Sequence, residues 1–266
     1  MINISKSRQL RYDSFGFILL VGLVTAIQAM CTTLTLPALP AIANGLSTTP
    51  DMAQLTISCF LIGVAGGQLI LGALSDRYGR RPILLGGIAI SVVAGIGCTV
   101  APSIESLIGF RLVQGFGGAA GMVLGRAIVR DLFERGRALK AMSAIAAIIS
   151  IVPMAGPPIT GLLLQWFSWR VIYGIVTIIA LVLGVMTWMW IAESLKKPDP
   201  TATDPRRIAS NCWEMLKRPE CVGFVLVGAS TYGGLFSFLA IISFIAIDSF
   251  GLTAVDAGWL LGGASL

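Results

Sequence analysis

Histidine is absent from all 266 residues. Imidazole metal ligands, imidazole general bases and Ser-His-Asp triads are therefore excluded together. Charge is scarce too. Only 12% of residues are Asp, Glu, Lys or Arg, about half the share of an ordinary soluble domain. The five cysteines (Cys31, Cys59, Cys98, Cys212, Cys221) form no CxxC pair and no small secreted framework. That pattern argues against disulfides and thiolate zinc sites, and no metal or cofactor is expected. What fills the chain is apolar: 56% hydrophobic residues and a mean hydropathy of +0.86, in blocks too long for soluble helices.

A membrane-crossing helix needs about 20 largely apolar residues. Reading between charges predicts spans at Phe15–Leu36, Met52–Leu74, Ile83–Ala101, Ser106–Gly125, Ala141–Gln165, Val171–Ala192 and Val222–Ile247. An eighth apolar run opens near Ala257 and reaches Leu266 after ten residues, which reads as truncation inside an eighth helix. The fold class expected is an all-α polytopic membrane protein. Ala41-Ile42-Ala43 resembles a signal cleavage site, but the apolar run before it is too long for a signal core. It reads as an uncleaved first span.

Lys and Arg set the orientation. With the N-terminus cytoplasmic, 17 of the 19 basic residues fall on the cytoplasmic side, leaving Arg170 outside and Arg111 within a span. This is the positive-inside pattern of a protein in a lipid bilayer. No basic patch carries the interleaved aromatics of a nucleic-acid face, so no nucleic-acid partner is expected.

Residues 1–192 then hold six helices. Residues 193–220 are polar, contain Pro198, Pro200, Pro205 and Pro219, and read as a flexible cytoplasmic linker. Residues 221–266 would start a second bundle, the layout of transporters built from repeated halves. Small residues recur four apart at Gly63/Gly67, Gly87/Ser91/Gly95 and Gly117/Gly121/Gly125, which suits close helix packing in lipid.

Three segments carry more than packing. The first is Gly72-Ala-Leu-Ser-Asp76-Arg77-Tyr-Gly79-Arg80-Arg81-Pro82, between the second and third spans. Gly72 slims the helix end, and Arg77 suits the negative pole of the helix dipole. Gly79 can take positive φ for a sharp reversal, and Pro82 suits the first turn of the next helix. Asp76 with Arg80 and Arg81 makes a compact charge cluster; a purely topology-setting basic loop is the alternative. The second is Arg111, about two turns inside its span, where a charge costs about 2.5–3.5 kcal/mol. Its alternative is snorkelling to the outer headgroups. The third is the fifth span, with Pro153, Pro157 and Pro158 near Gly156 and Gly161. A kink is expected there. Gly115-Phe-Gly117-Gly-Ala-Ala120 matches a dinucleotide fingerprint, but that motif requires a preceding strand in a soluble βαβ unit.

The first segment resembles the signature loop of the major facilitator superfamily, G-x-L-x-D-R-x-G-R-R. Arg111-Leu-Val-Gln114-Gly115-Phe-Gly117 resembles the fourth-helix motif of its drug:proton antiporter branch. Gly156-Pro157-Pro158-Ile-Thr160-Gly161 is similar to that branch's fifth-helix motif, with Thr160 in place of a glycine. Leu34-Thr-Leu-Pro37-Ala-Leu-Pro40 resembles the first helix of the bicyclomycin-resistance-type (Bcr/CflA) exporters. The resemblance implies a major facilitator fold, with an N-terminal six-helix bundle and the start of a C-terminal one. It implies a secondary active transporter of the inner membrane, exporting drugs or small toxic compounds in exchange for protons and monomeric at full length. It assigns conformational switching to Gly72, Asp76, Arg77, Gly79, Arg80 and Arg81, and proton coupling to Arg111. Bundle sealing falls to the helix of Pro153, Gly156, Pro157 and Gly161.

No acid is expected at mid-membrane. Thr32 and Thr33 stand where such exporters often carry a first-helix carboxylate, and Asp51, Glu105, Asp248 and Asp256 read as near the outer surface. Gln28, Met30 and Thr33 on the first span and Tyr232 and Phe236 on the seventh are candidates for holding a mildly polar small-molecule substrate. The same residues would serve a proton-coupled importer of a small metabolite. A non-transporting fragment, a seven-helix receptor and, least of all, an intramembrane enzyme are the remaining readings.

Overall fold

The computed structural model describes residues 14–263, so Lys6, Arg8, Arg11 and Leu266 lie outside the described residues. In chain order the elements are α1 (Phe15–Thr33), a 3-10 turn (Leu36–Ala38), α2 (Leu39–Gly45), α3 (Pro50–Tyr78), α4 (Arg80–Val100) and α5 (Ile104–Leu132). Then come α6 (Arg135–Leu164), α7 (Trp169–Trp190), α8 (Pro205–Leu216), α9 (Pro219–Phe244), a π-helical turn (Ile245–Ser249) and α10 (Ala254–Gly263). There is no strand among the described residues. Among the described residues, seven stretches are long and apolar enough to cross a membrane. Helices are what lipid demands, because backbone N–H and C=O groups find no water there.

The helices outrun the apolar spans. α3 and α5 have 29 residues each and α6 has 30, about 44 Å at 1.5 Å per residue, against a hydrocarbon core of about 30 Å. The fourth span, expected to stop at Gly125, continues to Leu132. Charges that bounded the apolar runs, among them Arg77, Arg126, Arg130, Arg135 and Arg137, are thus helical. Hydropathy marks where lipid ends; capping marks where the helix ends. Thr49 Oγ1 accepts from Met52 N–H at 3.4 Å, and Ser103 and Ser106 form a reciprocal capping box at the start of α5.

The first span also differs from the sequence expectation. Its α-helix ends at Thr33, and Pro37 and Pro40 divert the chain through the 3-10 turn into α2, because proline has no N–H to continue the ladder. α6, by contrast, runs unbroken across Pro153, Pro157 and Pro158.

The extensive contacts pair α3 with α5, α4 with α5, α1 with α6, and α4 with α7. Side-chain-free surfaces permit them. A Cβ on Gly63 or Gly67 would strike the carbonyls of Leu112 or Phe116, and one on Gly115 would strike the carbonyl of Phe60. Gly117 abuts α4 at Gly87, whereas Gly121 and Gly125 abut α1 at Val24 and Thr25. Gly72 is the exception, since a methyl there would lie at an ordinary 3.6 Å from Val123. A large core spans α1 and α3–α7, including Phe17, Phe60, Leu84, Leu124, Ile128 and Tyr173. A small second core joins Leu36, Leu39, Ala43, Ala53 and Ile57 to Leu239 and Leu261 of α9 and α10.

Residues 193–220 are not structureless. They contain α8, whose start is capped by Asp204 accepting from Arg206 N–H at 2.9 Å.

Candidate functional site

Two guanidiniums organise the N-terminal unit, one at its edge and one at its centre. The edge site begins with Gly79, whose φ of +107° turns α3 sharply into α4. L residues rarely adopt that angle. Pro82 sits in the first turn of α4. Arg80 folds back, buried, and its Nη1 contacts Asp76 Oδ1 at 2.6 Å while Nε contacts Asp131 Oδ2 at 3.0 Å. Its Nη1 also donates to Ser75 Oγ at 2.6 Å. Arg81 does not join Asp76 but donates to the Trp188 carbonyl at 2.5 Å. Arg77 stacks 5.1 Å from the Tyr78 ring centroid and donates to Thr203 Oγ1 at 2.5 Å.

Glu193 completes this site. Its two carboxylate oxygens accept the backbone N–H of Arg80 at 2.9 Å and of Arg81 at 3.1 Å. A carboxylate there caps the positive end of α4. Ser194 Oγ lies 3.3 Å from Asp131 Oδ2. Glu193, Asp131 and Ser194 were missed from sequence. Their signal was faint: an acid just past an apolar run and an Arg-Asp pair just past another.

The central site is Arg111, which is fully buried. It does not snorkel to a headgroup layer. Nη1 donates to the Cys31 carbonyl at 3.1 Å and to Gln114 Oε1 at 2.8 Å. The guanidinium carbon lies 4.1 Å from the Phe60 ring centroid and 5.6 Å from that of Tyr173, within cation–π range. Nε and Nη2 have no hydrogen-bond partner. No carboxylate pairs with Arg111 among the described residues. Asp51, Glu105 and Asp256 are exposed near helix starts, and the side chain of Asp248 lies outside the described residues.

α6 carries the third motif. Thr160 Oγ1 donates to the Leu34 carbonyl at 3.0 Å, and Gly156 lies against Thr33 and Leu34 of the first span. Gly161 is buried. On the other side α10 packs closely, because side chains on Gly258 and Gly262 would collide with the carbonyls of Pro157 and Met154. Pro158 has no N–H for the Met154 carbonyl one turn back, so two bare backbones meet there.

The substrate-contact candidates differ in their surroundings. Thr33 is buried and bonded to the Ala29 carbonyl at 2.8 Å. Met30 packs against the large core, and Gln28 leaves Oε1 buried without a partner. Tyr232 is exposed on α9, and the side chain of Phe236 lies outside the described residues. A cavity of ≈ 520 Å³ opens elsewhere, between α3, α5 and α6, lined by Gln68, Met122, Val123, Arg126, Arg130 and Met142. None of these six was singled out from sequence.

The described residues thus form a helical bundle of the kind built from membrane-length spans. A profile of the Major Facilitator Superfamily matches residues 21–266; the chain belongs to that superfamily. It is 30% identical over 247 residues to the bicyclomycin resistance protein homolog of Haemophilus influenzae, covering 93% of this chain and 62% of that protein. It is 31% identical over 241 residues to the chloramphenicol resistance protein of Pseudomonas aeruginosa, covering 90% of this chain and 55% of that protein. The chain thus spans roughly three fifths of the length of these relatives. Among solved structures, a bacterial homolog of the human lysosomal transporter Spinster, inward-facing and unoccupied, superposes with a TM-score of 0.75. The sequences are 15% identical, and the match covers 93% of this chain and 58% of that one.

Proposed function

We propose that this chain belongs to a secondary active exporter that moves drugs or small toxic organic compounds across the bacterial inner membrane in exchange for protons. Residues 1–192 form its N-terminal six-helix bundle, 193–220 its cytoplasmic linker, and 221–266 the opening of its C-terminal bundle. The relatives' names, bicyclomycin and chloramphenicol resistance, support the substrate class. The observation that carries the reading is Arg111, a charge buried at a cost and without a counter-ion among the described residues. Intramembrane charges of this kind belong to ion pathways and coupling. No carboxylate among the described residues pairs with Arg111, so the proton would be carried at a distance from it. Glu105 and Asp51, near helix starts, are the candidates in this chain. The proton's charge would bias one open state over the other through the field at Arg111.

The Asp76–Arg80–Asp131 cluster acts as the switch, because it joins the ends of α3, α4 and α5 and so sets the shape of the edge that the second bundle would meet. The bare-backbone contact of α6 with α10 acts as the seal. The ≈ 520 Å³ cavity lies within the usual range for small-molecule sites and offers a landing place from the cytoplasmic side. The test uses everted vesicles carrying the protein at its relatives' length, with an acid interior reported by a quenched dye. Adding chloramphenicol is expected to release protons and restore fluorescence. No recovery, with labelled drug still entering the vesicles, rejects proton exchange. Proton-driven uptake of a metabolite by intact cells would establish the importer reading; export by the protein at its relatives' length but not by residues 1–266 alone would make this chain a non-transporting fragment.

A further inference from the structure

We propose that α8 lies flat in the cytoplasmic headgroup layer of the membrane and binds anionic lipid headgroups. The proposal rests on the cytoplasmic placement of residues 193–220 given above. At 100° per residue, Ile208, Ala209, Cys212, Trp213, Met215 and Leu216 fall within an arc of about 160°. Arg206 and Arg207 occupy the complementary arc with Glu214, and Lys217 at the helix C-cap continues it. Arg207 also pairs with Asp199 at 2.7 Å, which leaves Arg206 and Lys217 as the cations facing out. The apolar arc is uncovered: Trp213 is 61% exposed, Met215 61% and Leu216 58%. No residue of α8 is buried by any other described part of the chain.

Both ends of α8 are held at the membrane boundary. Ahead of it, Asp199 N–H donates to the Asp76 carbonyl at 2.9 Å, and Thr203 Oγ1 accepts from Arg77 at 2.5 Å. Asp76 and Arg77 belong to the last turn of α3, a spanning helix. Behind it, α9 begins at Pro219, three residues past Leu216. A helix of 12 residues, about 18 Å long, pinned between two spans cannot leave the surface. A strongly amphipathic helix with a basic polar face is the signature of interfacial binding. Lys217 Nζ lies 5.7 Å from the Trp213 ring centroid, placing a cation beside an aromatic of the kind that anchors at headgroup depth. The charge of this face selects the ligand: phosphate-bearing anionic lipids of the inner leaflet.

Cys212 lies in the apolar arc and is exposed, whereas Cys31 and Cys98 are buried. A nitroxide on Cys212, in a Cys59→Ser, Cys221→Ser background, reads its depth in the reconstituted chain. In bilayers of phosphatidylcholine with phosphatidylglycerol, we expect high accessibility to oxygen and low accessibility to a water-soluble nickel chelate. In phosphatidylcholine alone, chelate accessibility should rise. Arg206→Gln with Lys217→Gln should weaken the partition into anionic bilayers about 25-fold, at about fivefold per charge. Exposure to the chelate in both bilayers overturns the proposal. So does equal protection in both, which would mean that protein covers this face. The lipid exchange needs no substitution in α8, and the depth reading needs no transport, so a chain that exports nothing still answers it.

Discussion

Arg80 and Arg111 are buried guanidiniums of one six-helix unit, yet their charges are answered in opposite ways. Arg80 lies where α3, α4 and α5 end, and two aspartates and a serine hydroxyl satisfy it. Arg111 lies deep in α5 and meets a carbonyl, an amide and two aromatic faces, with two nitrogens unanswered. At the boundary, carboxylates can be held at little desolvation cost because water is near. At the centre, no carboxylate pairs with Arg111 among the described residues, and its charge rests on oxygen dipoles and ring faces. The contrast separates a charge locked by ion pairs from one held by dipoles and rings.

The largest effect that would break this comparison is at Arg111. In the protein at its relatives' length, Arg111→Met should reduce drug export to background. Melting in detergent should not shift downward, because losing a buried unpaired charge offsets the Cys31 carbonyl and Gln114 Oε1 acceptors that it leaves without their donor. Lower stability with export retained would make Arg111 a structural residue. Next comes the packing that holds Phe60 over Arg111. Gly63→Ala forces a methyl against the Leu112 carbonyl and should destabilise by about 1–3 kcal/mol. Gly72→Ala, with room for its methyl, should stay within about 0.5 kcal/mol. Thermal denaturation of the two variants side by side decides this.

At the lock, Asp131→Ala should cost about 2 kcal/mol, since it removes a charged hydrogen bond from buried Arg80. Asp76→Asn keeps an acceptor at a half-exposed position. It should cost below about 1 kcal/mol while slowing exchange between open states, measured as substrate turnover. Equal stability losses would mean that the two aspartates share one role. The smallest effect is at Asp199. The Thr201 hydroxyl and amide, with Arg207, hold its carboxyl below the usual carboxylate range. A depressed folded value stabilises above the ordinary carboxylate value of about 3.9 and is lost as pH falls through the depressed one. The segment leading into α8 should therefore loosen only in strong acid. A label on Cys212 would report this as increased mobility, and Asp199→Asn should remove the acid step.

How far these sites could be read in advance depended on sequence distance. Arg111 stood out because one charge in an apolar run is visible locally, and the Gly72–Pro82 loop because its parts are contiguous. Asp131 and Glu193 were hidden because they reach Arg80 across 51 and 113 residues, and no local pattern encodes such a meeting. α8 was hidden for another reason: the prolines and charges of residues 193–220 outweighed an apolar periodicity that only a helical projection displays. Gln68, Met122 and Met142 looked like unremarkable members of their spans until three helices brought them around one cavity.

Hydropathy determined that this chain is helical and membrane-spanning, since continuous apolar runs of about 20 residues satisfy their own backbone groups in lipid as helices. Tertiary structure alone decided which arginine is locked and which stands alone. That outcome depends on the partners brought to each guanidinium by helices remote in sequence: α3 and α5 around Arg80, and α1, α3 and α7 around Arg111. Charge burial is a property of neighbours, and neighbours are chosen by packing.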